Sequence, residues 1–348
     1  MRKNIAAILC SLSLGWLSTA MADTVNEEVK ISPALLEHLY QQVLIADSQA
    51  TLDSLAQLQA QLRQQDPGQV NWALLQTNFA ALALNWKAME AMYVAGDLND
   101  DYLDHPRYID YYHQGNESIS DQVEKALASE IPLNKALFKH SNKGINALEV
   151  MLYPPSSLDA QQGERRLAGA LLASQTISIW LGEINDFYAS DQSFVKGGKA
   201  SLSILVNRLI DSSYKLANWR VGEAAGLIPK TKGNIHPQSL EFQRAKLSKA
   251  AIERILQTHR RVIDNDTEYD LLTVGKAVGV EQDMIFLQTR LDSAFTALAA
   301  VPTPFSQQLE SDAYKALFNE LAMLQNAYYF MLINSLNLQA RILDADGD

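Results

Sequence analysis

The sequence predicts an all-α protein made of two packed helical bundles. Apolar residues recur at spacings of three and four through most of the chain, and no run of alternating β-branched residues interrupts them. With 348 residues, 47% of them apolar, the chain is long enough for one large or two medium domains. Residues 190–198 separate two helical stretches with polar residues and two glycines. We therefore expect an N-terminal bundle over residues 23–193 and a C-terminal bundle over residues 194–348.

Residues 1–22 have the pattern of a cleaved signal peptide. Two basic residues precede an apolar stretch from Ile5 to Leu17, and Ala20-Met21-Ala22 offers a small-x-small cleavage pattern. The apolar stretch is shorter than the roughly 20 residues that span a bilayer, so a membrane anchor is the less favoured alternative. Cys10 follows a leucine rather than the small residue of a lipoprotein signal. We expect a periplasmic protein without a lipid anchor or a transmembrane segment in the mature chain.

The mature chain would contain no cysteine, which excludes disulfides, thiolate metal sites and cysteine nucleophiles. Any metal must then be held by His, Asp, Glu or Tyr. Without Arg2 and Lys3 the chain has 27 basic and 40 acidic residues, a net charge of −13. This charge argues against nucleic acid or anionic lipid as the main partner.

Helices are expected in order along the chain, each supported by its apolar spacing and by a break at one end. Asp66-Pro67-Gly68 closes the first, Gly96 stops the second, and Pro304 precedes the last. The predicted helices cover residues 52–62, 72–93, 161–188, 199–225 and 317–338.

Two regions, residues 97–117 and 227–242, are too rich in Pro, Gly, Asn and Asp for regular helix. The first contains two histidines and several phenol and carboxyl groups, and phenolate and carboxylate oxygens suit ferric iron. A hydrated surface loop is the alternative for such a composition. The candidate ligands there are His105, Tyr108, Asp110, Tyr111 and His113.

The segment KGINALEVMLY, residues 143–153, contains two polar side chains within an apolar helix pattern. Asn146 and Glu149 are three residues apart, so they share one helix face. They would either grip a metal or polar ligand, or hydrogen-bond to neighbouring helices. An asparagine amide is a weak ligand for transition metals.

A second polar group follows Pro237. If a helix begins there, Glu241, Arg244 and Ser248 lie on one face. Arg244 would then pair with Glu149 across the junction of the bundles and keep a buried carboxylate ionised. The alternative is an exposed ion pair of little energetic consequence.

Four segments together resemble the imelysin family. GINALEVMLY is similar to the region of its Gly-x-His-x-x-Glu motif, and the other three segments occur in the family's order. Gly144, Asn146 and Glu149 take the places of the motif glycine, histidine and glutamate. The three further segments are NWKAMEAMYVAG (85–96), PRYIDYYHQG (106–115) and HPQSLEFQRAKLS (236–248).

The resemblance implies two packed helical bundles with a pocket at their junction. Members are exported or surface proteins, many linked to iron acquisition, and the family has been classed among candidate metallopeptidases. Asn146 departs from the motif by replacing its imidazole, which puts zinc binding and peptidase activity in doubt. The remaining metal candidates are Glu149, His140 and His113.

The resemblance, together with the loss of the motif histidine at Asn146, implies a non-catalytic binding or accessory protein of iron acquisition. Its ligand would be a small molecule, a metal complex or a peptide. Any cofactor would be iron or another divalent metal, and its protein partners would be those of iron uptake. The alternative is a metal-dependent peptidase with Glu149 as ligand or general base. The predicted ligand-binding residues are Trp86, Glu90, Asn146, Glu149, Glu241, Arg244 and Ser248.

Overall fold

The computed structural model describes residues 31–115 and 117–339, and within them the protein is α-helical without a strand. The predicted all-α class is confirmed. The predicted signal peptide, with Cys10, lies outside the described residues. The α-helices are α1 Pro33–Leu39, α2 Ala46–Gln64, α3 Trp72–Ala91, α4 Ala95–Leu98, α5 His105–Ile109, α6 Ile119–Ala128, α7 Leu133–Ala136, α8 Ile145–Leu152, α9 Ala160–Ser190, α10 Ser193–Lys196, α11 Lys199–Lys215, α12 Ser248–Ile263, α13 Leu271–Ala277, α14 Glu281–Ala300, α15 Asp312–Ala327 and α16 Ile333–Ser335.

Polar caps fix where the long helices begin. The side chain of Asn71 accepts a hydrogen bond from the Leu74 amide at the start of α3. Asp159 and Gln162 form a reciprocal capping box at the start of α9. These caps satisfy amides that the first helical turn leaves unpaired, so the predicted helices begin close to their expected residues.

Two wide, π-helical segments interrupt helices that the spacing predicts as continuous, and a third lies before the first predicted helix. The predicted helix 199–225 is α11 followed by a π-helical segment, Leu216–Glu223. The predicted final helix contains a similar segment, Tyr328–Leu332, and a third one, Tyr40–Ile45, joins α1 to α2. Segments of this kind often occur at functional sites, and one of them carries a residue of the site below.

The helix expected directly after Pro237 does not form, which corrects that prediction. Pro237–Ser239 is a single 3₁₀ turn, and α12 begins only at Ser248. Between them Phe242 has φ 50° and Lys246 has φ 58°. These left-handed conformations cannot continue a right-handed helix, so the intervening segment is a folded loop.

The helices pack as two bundles that share one hydrophobic core. In the first half of the chain α2 packs against α3 and α9, and α8 packs against α3 and α9. In the second half α15 packs against α11 and α14, while α12 contacts α14. The contact between α3 and α12 joins the halves. A boundary near residue 193 remains a prediction.

Within the described part of the chain, one helix is long and apolar enough to cross a membrane. This is α9, with 31 residues and a mean hydropathy of 1.3 in its most apolar window, of which 44% is buried. Because α9 packs against α2 and α8, the same features are those of a core helix.

Candidate functional site

Lys87, near the end of α3, is fully buried and surrounded by three carboxylates. Its ammonium Nζ lies 2.7 Å from Oε2 of Glu90, 2.5 Å from Oδ2 of Asp110 and 2.6 Å from Oε1 of Glu241. The three acidic residues come from α3, from the loop after α5 and from the loop before α12. The ammonium therefore links both halves of the chain at one point.

Arg220 completes this buried network from the π-helical segment Leu216–Glu223. Its Nε donates to Oε2 of Glu241 at 2.8 Å, and its Nη2 donates to Oε2 of Glu90 at 2.8 Å. Two cations thus face three carboxylates, which leaves one excess negative charge. We call Lys87, Glu90, Asp110, Arg220 and Glu241 the charge network.

The network stabilises the charged forms of Lys87, Asp110 and Arg220. Burial alone would lower the pKa of Lys87, but the charges of Asp110, Glu241 and Glu90 outweigh burial and raise it. Burial would raise the pKa of Asp110, but the charge of Lys87 and several hydrogen bonds lower it to about 2. The carboxylates of Glu241 and Glu90 likewise raise the pKa of Arg220 against the effect of burial.

Asp110 is held by neutral donors as well as by Lys87. The indole Nε1 of Trp86 donates to its Oδ2 at 2.8 Å, and the amide of Tyr112 donates to its Oδ1 at 2.9 Å. The loop can come this close because residue 144 is glycine: a Cβ there would lie 2.8 Å from the carbonyl oxygen of Ile109. The motif glycine thus positions Asp110.

Asn146 also positions this loop. Its Nδ2 donates to Oδ1 of Asp110 at 3.0 Å, and its Oδ1 accepts from the amide of Tyr111 at 2.6 Å. Both ends of the amide are therefore used in bonds to one loop. Since the carbonyl oxygen already has a backbone partner, this side chain is poorly suited to bind a metal.

Glu149 lies one turn further along the same face of α8 and holds the second loop. It is 8% exposed, and its Oε1 accepts from the amide of Ala245 at 2.8 Å. Burial raises the pKa of Glu149 to about 7, although the Ala245 amide and the charge of Arg244 oppose the rise. The polar pair on α8 thus holds two loops from opposite halves of the chain.

The predicted ion pair between Arg244 and Glu149 is not formed in the described structure, which corrects that expectation. Arg244 is exposed and donates to the hydroxyl of Ser120 instead. Ser248 is buried, and its hydroxyl donates to the carbonyl oxygen of Glu241 at 2.6 Å. Ser248 therefore supports the network through the backbone of Glu241.

The three metal candidates of the sequence do not converge. His113 pairs with Glu223 at 2.5 Å and stacks on Trp219. The ring of His140 packs on Tyr108 with a centroid distance of 5.1 Å. Neither imidazole shares a set of potential metal ligands with Glu149 among the residues described.

One set of potential metal ligands does occur there, but a zinc ion does not fit it. Oxygen atoms of Glu90, Asp110 and Glu241 lie within 4.8 Å of one another. The ammonium of Lys87 already binds all three residues. The set also lacks the imidazole or thiolate ligands that protein zinc sites generally use. A cation bound there would have to displace Lys87.

A cavity of about 200 Å³ borders the charge network. Glu90, Asp110 and Arg220 form part of its wall, and Tyr93, Tyr112 and Trp219 contribute aromatic surface. Four further charged side chains line the cavity: Arg107, Arg208, Asp211 and Lys215.

Of the predicted binding residues, the structure brings together Trp86, Glu90, Asn146 and Glu241, with Ser248 directly behind Glu241. Their role as ligand-binding residues stays a prediction. Lys87 and Arg220 were not among the predicted site residues. Lys87 does carry a signal: it lies four residues after Ala83 and eight after Phe79, both buried, so a lysine sits on a buried helix face.

Comparison with solved structures finds two proteins of the same fold. An imelysin-like protein from Psychrobacter arcticum has a TM-score of 0.71 and 19% identity, over 90% of this chain and 98% of the other. A protein of Parabacteroides distasonis described as an iron-regulated protein A precursor has a TM-score of 0.67 and 11% identity, over 91% and 97%. Comparison with curated protein sequences gives no match.

The family assignment comes from the sequence over most of the chain. Residues 38–327 match the family profile described as Imelysin, a peptidase family. This range includes every residue of the charge network and both polar residues of α8. The chain therefore belongs to the imelysin family.

Proposed function

We propose that this protein is an exported, non-catalytic binding or accessory component of iron acquisition, and that its ligand occupies the cavity beside the charge network. The observation that carries the non-catalytic role is the position of Lys87. Its ammonium holds the three carboxylates that would otherwise be the best cation ligands in the described structure. The site can still bind a small polar ligand, because the cavity borders the same residues.

The role in iron acquisition rests on family membership and on the structural neighbour described as iron-regulated. That neighbour is also described as a precursor, which supports export, as does the signal-peptide pattern of residues 1–22. A periplasmic location and partner proteins of iron uptake belong to the same proposal.

A metal-dependent peptidase is the second candidate, and one observation favours it. The pKa of Glu149 is raised to about 7 by burial, which suits a general base near neutral pH. The family is also described as a peptidase family. Against it, Glu149 uses Oε1 to hold the Ala245 amide, and Asn146 supplies no imidazole.

We expect the purified mature protein to bind no stoichiometric zinc and to leave unstructured peptides uncleaved. Elemental analysis after dialysis and a peptide-cleavage assay with added zinc measure both. One zinc ion per chain that is lost in Glu149→Ala, together with cleavage that the same substitution abolishes, would establish the peptidase instead.

We expect iron starvation to raise expression of the gene by at least several-fold. Transcript measurement in cells grown with and without an iron chelator tests this, and re-addition of iron serves as the control. An unchanged transcript level would contradict the role in iron acquisition and leave the family and fold unaffected.

A further inference from the structure

The cavity presents a free donor and a free acceptor that belong to one ion pair. Arg220 is 4% exposed, and its Nη1 bonds to none of the residues in 31–115 and 117–339. The side chain of Glu90 is 21% exposed, and its Oε1 takes no hydrogen bond within the same ranges. Both residues line the cavity. The unused N–H groups of Nη1 are not sealed inside the protein, so a molecule in the cavity can reach them.

The other charges of the wall are fixed by ion pairs before any ligand enters. Arg208 donates to Asp97 at 2.5 Å, and Lys215 lies 2.8 Å from Asp211. Charged groups of both signs line the wall in similar number. The acidic ones are Glu90, Asp110 and Asp211, and the basic ones are Arg107, Arg208, Lys215 and Arg220. This near balance favours neither a simple anion nor a simple cation. It suits a molecule that carries both charges.

The size of the cavity limits the ligand. Its volume of about 200 Å³ is below the roughly 300–1,000 Å³ of typical small-molecule sites. Tyr93, Leu103 and Pro106 add apolar surface to the wall. A molecule of amino-acid size fits this volume, with its charged end at the ion pair and its side chain against the apolar wall.

Resting on the proposed binding role of the cavity, we infer that the ligand is a small zwitterion, with a carboxylate that accepts from Nη1 of Arg220 and an ammonium that donates to Oε1 of Glu90. Both bonds are charge-assisted and use groups already held in place by the charge network, so little side-chain ordering is needed on binding.

Isothermal titration of the mature protein with L-leucine, L-glutamine and L-lysine tests the inference. We expect at least one of the three to bind, and its N-acetylated, C-amidated form to bind at least tenfold more weakly, because capping removes both charges. Absence of binding by all three, or equal binding of the free and capped forms, would overturn the inference. Zinc content, peptide cleavage and iron-dependent expression are measured separately. Failure of the amino-acid inference therefore does not decide whether the proposed function is correct.

One variant tests the contact at Glu90, and a second variant is its control. Glu90→Gln keeps the size of the side chain and removes its charge, and we expect at least tenfold weaker binding of the free amino acid. Glu253→Gln, the same change at an exposed position on α12, is the control and should bind as the wild type does. If Glu90→Gln does not fold, the comparison of free and capped amino acids on the wild type decides. Unchanged affinity in a folded Glu90→Gln would overturn the assignment of the ammonium to this residue.

Discussion

Replacement of Lys87 by methionine is expected to lower the free energy of unfolding by about 3–5 kcal/mol, the cost of removing one partner from a buried ion pair. Methionine nearly preserves the volume of the side chain, so the loss comes from charge rather than from a cavity. Without the ammonium, Glu90, Asp110 and Glu241 face one cation, Arg220, in a site where none of the three can be fully hydrated. Urea unfolding followed by circular dichroism at pH 7.5 measures the effect.

Lys139→Met is the matched control for this prediction. Lys139 pairs with Glu117 on the surface, where both side chains are well exposed, so its loss should leave the unfolding midpoint nearly unchanged. The double variant Lys87→Met with Asp110→Asn removes one charge of each sign and should recover part of the lost stability. If Lys87→Met alone unfolds at the same urea concentration as the wild type, Lys87 does not hold the network together.

The long helices α2, α3, α9, α11 and α15 were predictable because each has its own local signal, whereas α12 and α14 were not predicted. Apolar spacing marks α3 and Asn71 caps its start, but α3 ends at Ala91, before the predicted break at Gly96, which lies within α4. The prediction of a helix directly after Pro237 was wrong, because the backbone path of this segment depends on contacts with another part of the chain. The bond from the amide of Ala245 to Glu149 and the left-handed residues Phe242 and Lys246 determine it.

The polar residues of α8 were predicted as part of the candidate site, but their contacts with the two loops were not. Asn146 and Glu149 are visible as polar residues in an apolar helix, whereas the loops they hold are distant in sequence by 35 and 96 residues. Arg220 was missed for a related reason. Its segment continues the apolar spacing of α11, and only the wider π-helical turn brings its guanidinium to Glu90 and Glu241.

Replacement of Glu149 by glutamine is expected to raise stability at pH 8 by up to about 3 kcal/mol, and this gain should vanish near pH 4.5. The pKa of Glu149 is about 7 in the folded protein against 4.5 unperturbed, a rise caused first by burial. The folded state therefore holds the proton more tightly than the unfolded state. The contribution of Glu149 to the free energy of unfolding is therefore greatest below pH 4.5, falls as pH rises toward 7 and is constant above pH 7. The size of the fall follows from the size of the pKa rise.

Glutamine keeps the oxygen that accepts from the Ala245 amide and has no charge to bury, so the variant should lack this pH dependence. Unfolding free energies of variant and wild type at intervals from pH 4.5 to 8 give the difference directly, and Glu253→Gln on the exposed face of α12 is the control. Asp110 acts outside this window, because its pKa is lowered from 3.8 to about 2 and its contribution is lost only below 3.8. A difference between Glu149→Gln and wild type that stays constant from pH 4.5 to 8 would show that Glu149 is ionised throughout, held by Arg244 and the Ala245 amide more strongly than burial opposes.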